Sequence, residues 1–590
     1  MRLLPNPVAS ILIVAMLTSG CATTISGEPK RALPTVGNVK TILQMPICSA
    51  GGSVPRTAFF LTISGGGSRA AYFGARVLSE LKNVDGSDVA ARVDAISSVS
   101  GGSLAASLYG LSTDRPTGET WRPSWDDTLI DARLAANLKS DMVKHMVNPV
   151  FLGGYLFGQK SRTDTLFAAL DSTVLGISGE KKQITMADLN PDRPQIIINS
   201  TVATMDESTA FRPRPFGSLF TFSPSDLDSI GVEYATMPLS RAVAASAAFP
   251  GLLSPVVLNR FELGSTEQER GTPKFMHLID GGNVDNLGLL AVKRALVEDS
   301  HRLLTECDQV VVLTVDAFGA QGLHQDDTPS MRSALGWMMD GNTVFSAFDA
   351  LLAANRTRLL AEFKSRQFVP PADSALCRKD DLPPDVCHGG VRVKWDDVNA
   401  LLKQKLLFVH LSFDSKEIAR PPGMVNCRGP YVKGESNGCD YPPINEAIYA
   451  EEEPALRSRL KRIPTTFGLS REEMSDITIY TKLLFTPKNQ CLIHMRDMLA
   501  GAVQHNSAFY SKASNSCDET SSFTDEQMSW ARSHTELSGD WNHADGRPIT
   551  RQPTAELARY VPATTVEARK SFWAQVLKYY GWNGSEIRHQ

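Results

Sequence analysis

The stretch Val93-Asp94-Ala95-Ile96-Ser97-Ser98-Val99-Ser100-Gly101-Gly102 combines an apolar strand-like run with a serine and two glycines. Small and apolar residues follow over 103–111, as in a packed helix. A serine on a tight strand-to-helix turn exposes its oxygen, and small neighbours let its backbone adopt strained angles. Ser100 is therefore the candidate nucleophile for an acyl-transfer reaction. A Gly/Ser-rich loop that merely opens a helix is the simpler alternative.

A second glycine-punctuated stretch, Ile63-Ser64-Gly65-Gly66-Gly67-Ser68-Arg69, follows the apolar run 59–63 and precedes a predicted helix over 69–81. Glycines let backbone N–H groups approach an anion closely, and the positive end of the helix adds to the attraction. We expect Gly65, Gly66 and Gly67, together with Gly101, to form an oxyanion hole. A nucleotide-binding loop is disfavoured because neither of the usual glycine spacings is present.

Arg69 stands at the end of this glycine stretch. Its guanidinium is a candidate for binding a phosphate-bearing substrate. The alternative is an ion pair that fixes the loop.

Asp280-Gly281-Gly282 follows the predicted strand 275–279. A carboxylate at a strand end, beside glycines that leave room, is well placed to act as the base for a serine, with Asp285 as the fallback. A turn-forming Asp-Gly is the simpler alternative. His277 precedes Asp280 by three residues, so on one strand the two side chains point to opposite faces. The other histidines lie in no recognisable partner motif, and a Ser–Asp dyad fits better than a triad.

Apolar runs and helical segments alternate along the chain, which predicts an α/β fold with a largely parallel sheet. Further strands are expected at 195–199, 310–315 and 406–411, and helices at 331–365, in parts of 446–463 and at 471–484. A literal Gly-x-Ser-x-Gly around Ser436 lacks a preceding strand and is disfavoured as the nucleophile site.

The N-terminus predicts export. Residues 1–20 combine Arg2, an apolar core over 8–17 and small residues before Cys21, which resembles a bacterial lipoprotein signal. We expect Cys21 to be lipidated and residues 21–55 to form a tether, with the body in the cell envelope at the outer membrane, facing the periplasm. Ordinary secretion is the alternative. The net charge of -4 shows no basic bias, so nucleic-acid binding is disfavoured.

Eight further cysteines in an exported chain suggest disulfides. Close spacings favour Cys377 with Cys387, Cys427 with Cys439, and Cys491 with Cys517. A zinc site is disfavoured because no Cys-x-x-Cys occurs, and no metal is expected. We predict a catalytic domain over 56–486 that contains a disulfide-stapled insertion at about 371–445, mostly loops around one strand. Residues 487–590 are expected to form a helical C-terminal extension.

The three glycine-containing blocks resemble the patatin-like phospholipase family in order and in context. Asn199-Ser200-Thr201 and the segment Ala244-Ala245-Ser246-Ala247-Ala248-Phe249-Pro250 are also similar. The resemblance covers about 55–315 and continues weakly to about 486. It implies a three-layer α/β/α fold, a Ser100–Asp280 dyad, an acyl-enzyme intermediate and no cofactor. Ser98, where the family has glycine, and Ala70 are departures.

The resemblance implies a membrane-tethered hydrolase of the phospholipase A or lysophospholipase type, acting on phospholipid or another acyl lipid. An acyltransferase with the same dyad is the close alternative, because an alcohol can intercept the same intermediate. A non-catalytic envelope lipoprotein of the same fold is the second alternative. The oligomeric state stays open.

Overall fold

A computed structural model of the chain describes residues 41–502, with gaps at 45–46, 49–53, 85, 115–121, 135–137, 147–160, 177–182, 205–215, 261–273, 320–340, 369–393, 414–455, 458 and 486–489. The predicted signal, Cys21 and most of the tether therefore lie outside the described residues. So do Ser436, most of the insertion and the extension beyond residue 502.

A central sheet of eight strands organises the described part of the chain. Its strands are β1 (Thr57–Ile63), β2 (Ala95–Val99), β3 (Gln195–Val202), β4 (Leu219–Phe222), β5 (Val256–Arg260), β6 (Lys274–Asp280), β7 (Gln309–Asp316) and β8 (Leu406–Ser412). The order is β5-β6-β3-β2-β1-β7-β8, with β4 also paired to β3. β3, β2, β1, β7 and β8 run parallel. β4 and β6 run antiparallel to β3, and β5 antiparallel to β6. The prediction of a mostly parallel sheet is confirmed.

Helices follow most strands. They are α1 (Gly67–Leu81), α2 (Gly101–Leu111), α3 (Asp127–Leu134), α4 (Leu138–Met146), α5 (Arg162–Ala169), α6 (Pro224–Ser229), α7 (Leu239–Ser246), α8 (Leu289–Glu298), α9 (Ser300–Glu306), α10 (Gly341–Ser365), α11 (Trp395–Lys405), α12 (Arg471–Leu484) and α13 (Gln490–Ala500). No helix of the described residues is long and apolar enough to span a membrane.

Two hydrophobic cores lie on opposite faces of the sheet. Phe59, Leu61 and Ile63 of β1 pack into one core, whereas Ala58 and Phe60 pack into the other. The first core includes residues of α1, α2, α7 and α12, and the second includes residues of α8 and α11. Successive side chains of a strand point to opposite faces, so a strand covered by helices on both sides is apolar throughout. The predicted three-layer α/β/α arrangement is confirmed.

The sequence patterns did not predict β4, β5, α11 or the seven helices from α3 to α9. The two strands are four and five residues long and pair antiparallel, so their apolar runs are too short to stand out. Helix α11 lies within the segment expected to be mostly loops around one strand. The strand β8 appears there as expected.

Cys48 and Cys307 form a disulfide with a Cα–Cα distance of 5.2 Å. It ties the segment before β1 to the turn that precedes β7. Each of the three predicted pairs includes at least one cysteine outside the described residues, so those pairings remain predictions.

Helix α13 is the start of the expected C-terminal extension, and it packs on the main body. Leu492, Met495 and Met498 are buried in the first core. The Gln309 amide, at the start of β7, donates to the Met498 carbonyl at 3.0 Å.

Candidate active site

Ser100 lies on the turn between β2 and α2 and has φ 49° and ψ −121°. This left-handed conformation is strained for a residue with a side chain, and it is typical of a nucleophile on a tight strand-to-helix turn. The Ser100 N–H donates to Ser246 Oγ at 2.8 Å, and the Ser246 hydroxyl donates in turn to the Asn199 carbonyl at 2.6 Å. Ser246 therefore holds the strained turn against β3.

Glycines let the two glycine stretches touch through their backbones. A Cβ on Gly101 would lie 1.9 Å from the Gly67 carbonyl oxygen, and one on Gly102 would lie 2.5 Å from the Ser64 carbonyl oxygen. Side chains at these positions would push the two loops apart. The contact brings the glycine loop after β1 beside Ser100.

The N–H groups of the four glycines predicted to form the oxyanion hole divide into two kinds. Gly65 donates its N–H to the Asn286 carbonyl at 2.9 Å. The N–H groups of Gly66, Gly67 and Gly101 have no hydrogen-bond partner within the described part of the chain. The expectation for Gly65 therefore needs correction, because its donor is already engaged and Gly65 shapes the loop instead. The other three glycines retain donors for an oxyanion.

Asp280 ends β6 and is placed near Ser100 by the pairing of β6 with β3, in which it stands opposite Ser200. Asp280 is buried, and its Oδ1 accepts the Gly282 N–H at 2.7 Å. Burial raises the pKa of Asp280 to about 6, while hydrogen bonds from the Gly282 N–H and the Ser100 side chain hold it down. The carboxyl is thus mostly ionised at neutral pH and a stronger base than an ordinary aspartate.

The alternative acid and base candidates have other partners. Asp285 accepts the N–H groups of Leu287 at 2.8 Å and Leu290 at 2.5 Å, so it caps the start of α8. The His277 ring contacts the Thr204 hydroxyl at 3.2 Å. Neither side chain is among the described residues that line the cleft containing Ser100.

A cleft of about 100 Å³, open to solvent, contains both Ser100 and Asp280. Its polar lining includes Asn283, Asn286, Thr465 and Thr466. Phe249, Leu252, Phe318, Leu352 and Phe467 add apolar surface. A substituent of an ester held over Ser100 would therefore meet both polar and apolar groups on this side.

Arg69 lines the same cleft but is 2% exposed. Its guanidinium donates to the Ile463 carbonyl, and a Cβ on Gly319 would lie 2.6 Å from Arg69 Nη1. These contacts support the loop-fixing role for Arg69. The substrate-binding role stays a prediction.

Ser98, the departure from the usual motif, is accommodated in β2. It is fully buried, and its hydroxyl lies 3.3 Å from the Ile197 carbonyl oxygen that it donates to. Because the extra hydroxyl has a partner on β3, the turn at Ser100 keeps its geometry without a glycine at position 98.

Several residues in or behind the cleft were not predicted. Ser246 stood in a segment noted for resemblance, without a role. Residues 465–467 reach the site from far along the chain, where the Thr466 carbonyl accepts the Ser68 N–H at 2.9 Å. Phe318 and Leu352 carry no sequence signal, because only the tertiary fold brings them to the cleft.

Within the described residues, no three His, Cys, Asp or Glu side chains cluster as metal ligands do. The chemistry of the cleft is that of a serine, a carboxylate and backbone N–H groups.

Residues 61–293 match the family model of patatin-like phospholipases. The match runs from β1 into α8 and contains both glycine stretches, Ser100 and Asp280. It supports a lipid hydrolase. A search of curated proteins finds no match.

Among solved structures, the chain is similar to human GIVD cytosolic phospholipase A2, with 12% identity and a TM-score of 0.37 over 79% of this chain and 61% of that chain. It is also similar to VipD from Legionella pneumophila, with 12% identity and a TM-score of 0.20 over 90% of this chain and 93% of that chain. The chain thus spans less than two thirds of the human protein.

Proposed function

We propose that this chain is a serine lipid acyl hydrolase of the phospholipase A or lysophospholipase type, acting through Ser100 and Asp280. One observation carries the proposal: a serine on a strained turn shares a cleft with a buried carboxyl of raised pKa and with backbone N–H groups that have no other partner in the described chain. The family match over 61–293 supports the same chemistry.

In this mechanism, Ser100 Oγ attacks the ester carbonyl carbon while the Asp280 carboxylate takes the hydroxyl proton. The carbonyl oxygen becomes negative and accepts from the N–H groups of Gly66, Gly67 and Gly101. The carbon–alkoxy bond then breaks, and Asp280 gives its proton to the leaving alkoxide. Water repeats the sequence on the acyl-enzyme, releasing the fatty acid and restoring Ser100.

A two-residue mechanism needs an aspartate that is ionised yet basic enough to accept a proton. The pKa of Asp280, raised to about 6 by burial, meets both requirements near neutral pH. The strained turn and the Ser246 contact keep the Ser100 oxygen pointed at the cleft, so little reorganisation precedes attack.

The envelope location and the lipid anchor at Cys21 are part of the proposal. The Cys48–Cys307 disulfide supports an oxidising compartment, since such bonds are rare in the cytosol. Metabolic labelling with a fatty-acid analogue tests the anchor: label should enter the wild type and not Cys21→Ser, and equal labelling of both would refute it.

The decisive experiment combines a serine-directed fluorophosphonate with product analysis on phospholipid vesicles. We expect the probe to map to Ser100, and free fatty acid release to be lost in Ser100→Ala. Ser98→Ala is the matched control, because it removes a buried hydroxyl on the strand that leads into Ser100 and should keep labelling. Undiminished labelling of Ser100→Ala would overturn the nucleophile assignment. An acyl chain recovered on a lipid acceptor, with no free fatty acid, would replace hydrolysis by transfer.

A further inference from the structure

The asparagines around the catalytic residues differ in what their side chains bind. Asn199 Nδ2 donates to the Ser98 carbonyl at 3.0 Å, and Asn283 Nδ2 donates to the Asp280 carbonyl at 3.0 Å. The side chain of Asn286 has no hydrogen-bond partner among the described residues, although only 8% of the residue is exposed. A buried amide without a partner costs free energy, so its position calls for a ligand.

The Asn286 amide is a neighbour of both catalytic side chains. A Cβ on Gly65 would lie 2.3 Å from Asn286 Oδ1 and 3.3 Å from Ser100 Cβ. A Cβ on Gly282 would lie 2.9 Å from Asn286 Oδ1 and 3.0 Å from Asp280 Oδ1. A gap the size of one carbon atom therefore separates the amide from each catalytic side chain, and Asn286 lines the same cleft as they do.

The backbone around Asn286 fixes the place of its amide. The Asn286 carbonyl accepts the Gly65 N–H at 2.9 Å. The Asp285 carboxylate accepts the N–H groups of Leu287 and Leu290. With the backbone held in this way, rotation about χ2 exchanges the two ends of the amide. Because neither end is bound within the described part of the chain, Nδ2 is available to an oxygen in the cleft.

The route of the proton identifies that oxygen. In the proposed mechanism, the proton that Asp280 takes from Ser100 passes to the leaving alkoxide, so the alkoxide oxygen has to lie beside Asp280. Asn286 lies on that side of Ser100, across Gly282 from the carboxylate. The carbonyl oxygen is served by the glycine N–H groups, which leaves the Asn286 amide for the leaving oxygen.

We infer that Asn286 is a third catalytic residue, whose Nδ2 donates a hydrogen bond to the leaving oxygen of the ester. The inference rests on the proposed function. As the carbon–oxygen bond breaks, its electron pair passes to that oxygen, and Nδ2 stabilises the negative charge until the Asp280 proton arrives. Asn286 itself transfers no proton. The water that attacks the acyl-enzyme occupies the same place, so the same hydrogen bond orients it.

The test compares two esters that share an acyl chain and differ in leaving group, monooctanoyl glycerol and p-nitrophenyl octanoate. The parameter is kcat/KM, which covers the steps up to release of the alcohol. p-Nitrophenolate is a weak base that leaves without a proton, whereas the glycerol oxygen needs a donor and a proton. Asn286→Leu keeps a similar size and removes the donor. We expect it to lower kcat/KM about 10²-fold on the glycerol ester and to leave it near the wild-type value on the p-nitrophenyl ester.

Asn355→Leu is the matched control, because the Asn355 amide lies 3.5 Å from the Asn283 carbonyl and outside the described lining of the cleft. It should leave the ratio of the two kcat/KM values unchanged. Asn286→Ala removes the donor without adding bulk and should show the same selective loss, so the test does not depend on the folding of the leucine variant. Active sites are counted with the fluorophosphonate, so that each rate refers to folded protein.

The outcomes separate the role of Asn286 from the proposed function. Equal losses on the two esters, or a wild-type ratio in both Asn286 variants, would overturn the role of Asn286 and leave the hydrolase intact. An equally large change of the ratio in Asn355→Leu would do the same. Absence of Ser100-dependent turnover on both esters would instead overturn the proposed function, and the inference with it.

Discussion

Asp280 and Asp316 are buried carboxyls at the ends of two strands of one sheet, β6 and β7, yet their surroundings give them opposite properties. Asp280 has the Gly282 N–H and Ser100 as neighbours, and burial raises its pKa to about 6. For Asp316, burial alone would also raise the pKa. The Arg356 guanidinium, the His410 ring and the Phe318 N–H outweigh burial and hold the pKa of Asp316 below its usual range.

The contacts of Asp316 show that its charge has a structural role. Its Oδ2 accepts from Arg356 Nε at 2.6 Å and lies 3.0 Å from His410 Nε2. Arg356 belongs to α10, whose Leu352 lines the cleft. The ion pair therefore anchors a helix beside the site. Cationic partners stabilise the charge of Asp316, whereas burial dominates at Asp280 and makes its carboxylate more basic.

The largest expected effect separates the two carboxyls by activity. Asp280→Asn keeps the shape but cannot accept the Ser100 proton, so kcat/KM on phospholipid should fall about 10³-fold. Asp316→Asn, the matched control, should lower kcat/KM far less. Steady-state kinetics on both variants, with rates normalised to folded protein, measure the two losses of kcat/KM. Equal losses would mean that the two carboxyls do not differ in role.

The second-largest effect is on stability, where Asp316→Asn should cost more than Asp280→Asn. Asp316→Asn removes the carboxylate that pairs with the Arg356 guanidinium and should lower the free energy of unfolding by about 3–5 kcal/mol. Denaturant unfolding at neutral pH gives the value. The folded-state pKa of Asp316 is depressed, so its contribution is complete above the unfolded-state pKa and fades as pH falls through the folded-state pKa. A cost that is unchanged at strongly acid pH would contradict the ion-pair explanation.

The smallest effect is a gain in stability. The pKa of Asp280 rises from 3.8 to about 6 on folding, so the folded state binds the proton more tightly and stability falls as pH rises between these values. Asp280→Asn removes that penalty and should raise the free energy of unfolding at neutral pH by about 2 kcal/mol. Repeating the unfolding at pH 4 should shrink the gain. If Asp280→Asn is destabilised at neutral pH, the raised pKa is wrong.

Asp280 and Asp316 also show which residue roles could be predicted from the sequence. Asp280 was predicted because it follows an apolar run and precedes two glycines, a local pattern. Asp316 also ends an apolar run, but its partners Arg356 and His410 lie 40 and 94 positions away along the chain. No local pattern pairs them, so its role as an anchor could not be predicted.

The sequence alone determined the alternation of strands and helices and the two glycine stretches, because periodicity and glycine requirements are local properties of the chain. It also predicted Ser100 and Asp280, which line the same cleft. Only the tertiary structure decided that Gly65 donates its N–H to the Asn286 carbonyl, that Ser246 holds the nucleophile turn, and that residues 465–467 line the cleft. Those features depend on which distant segments pack together, and the packing is a property of the whole fold.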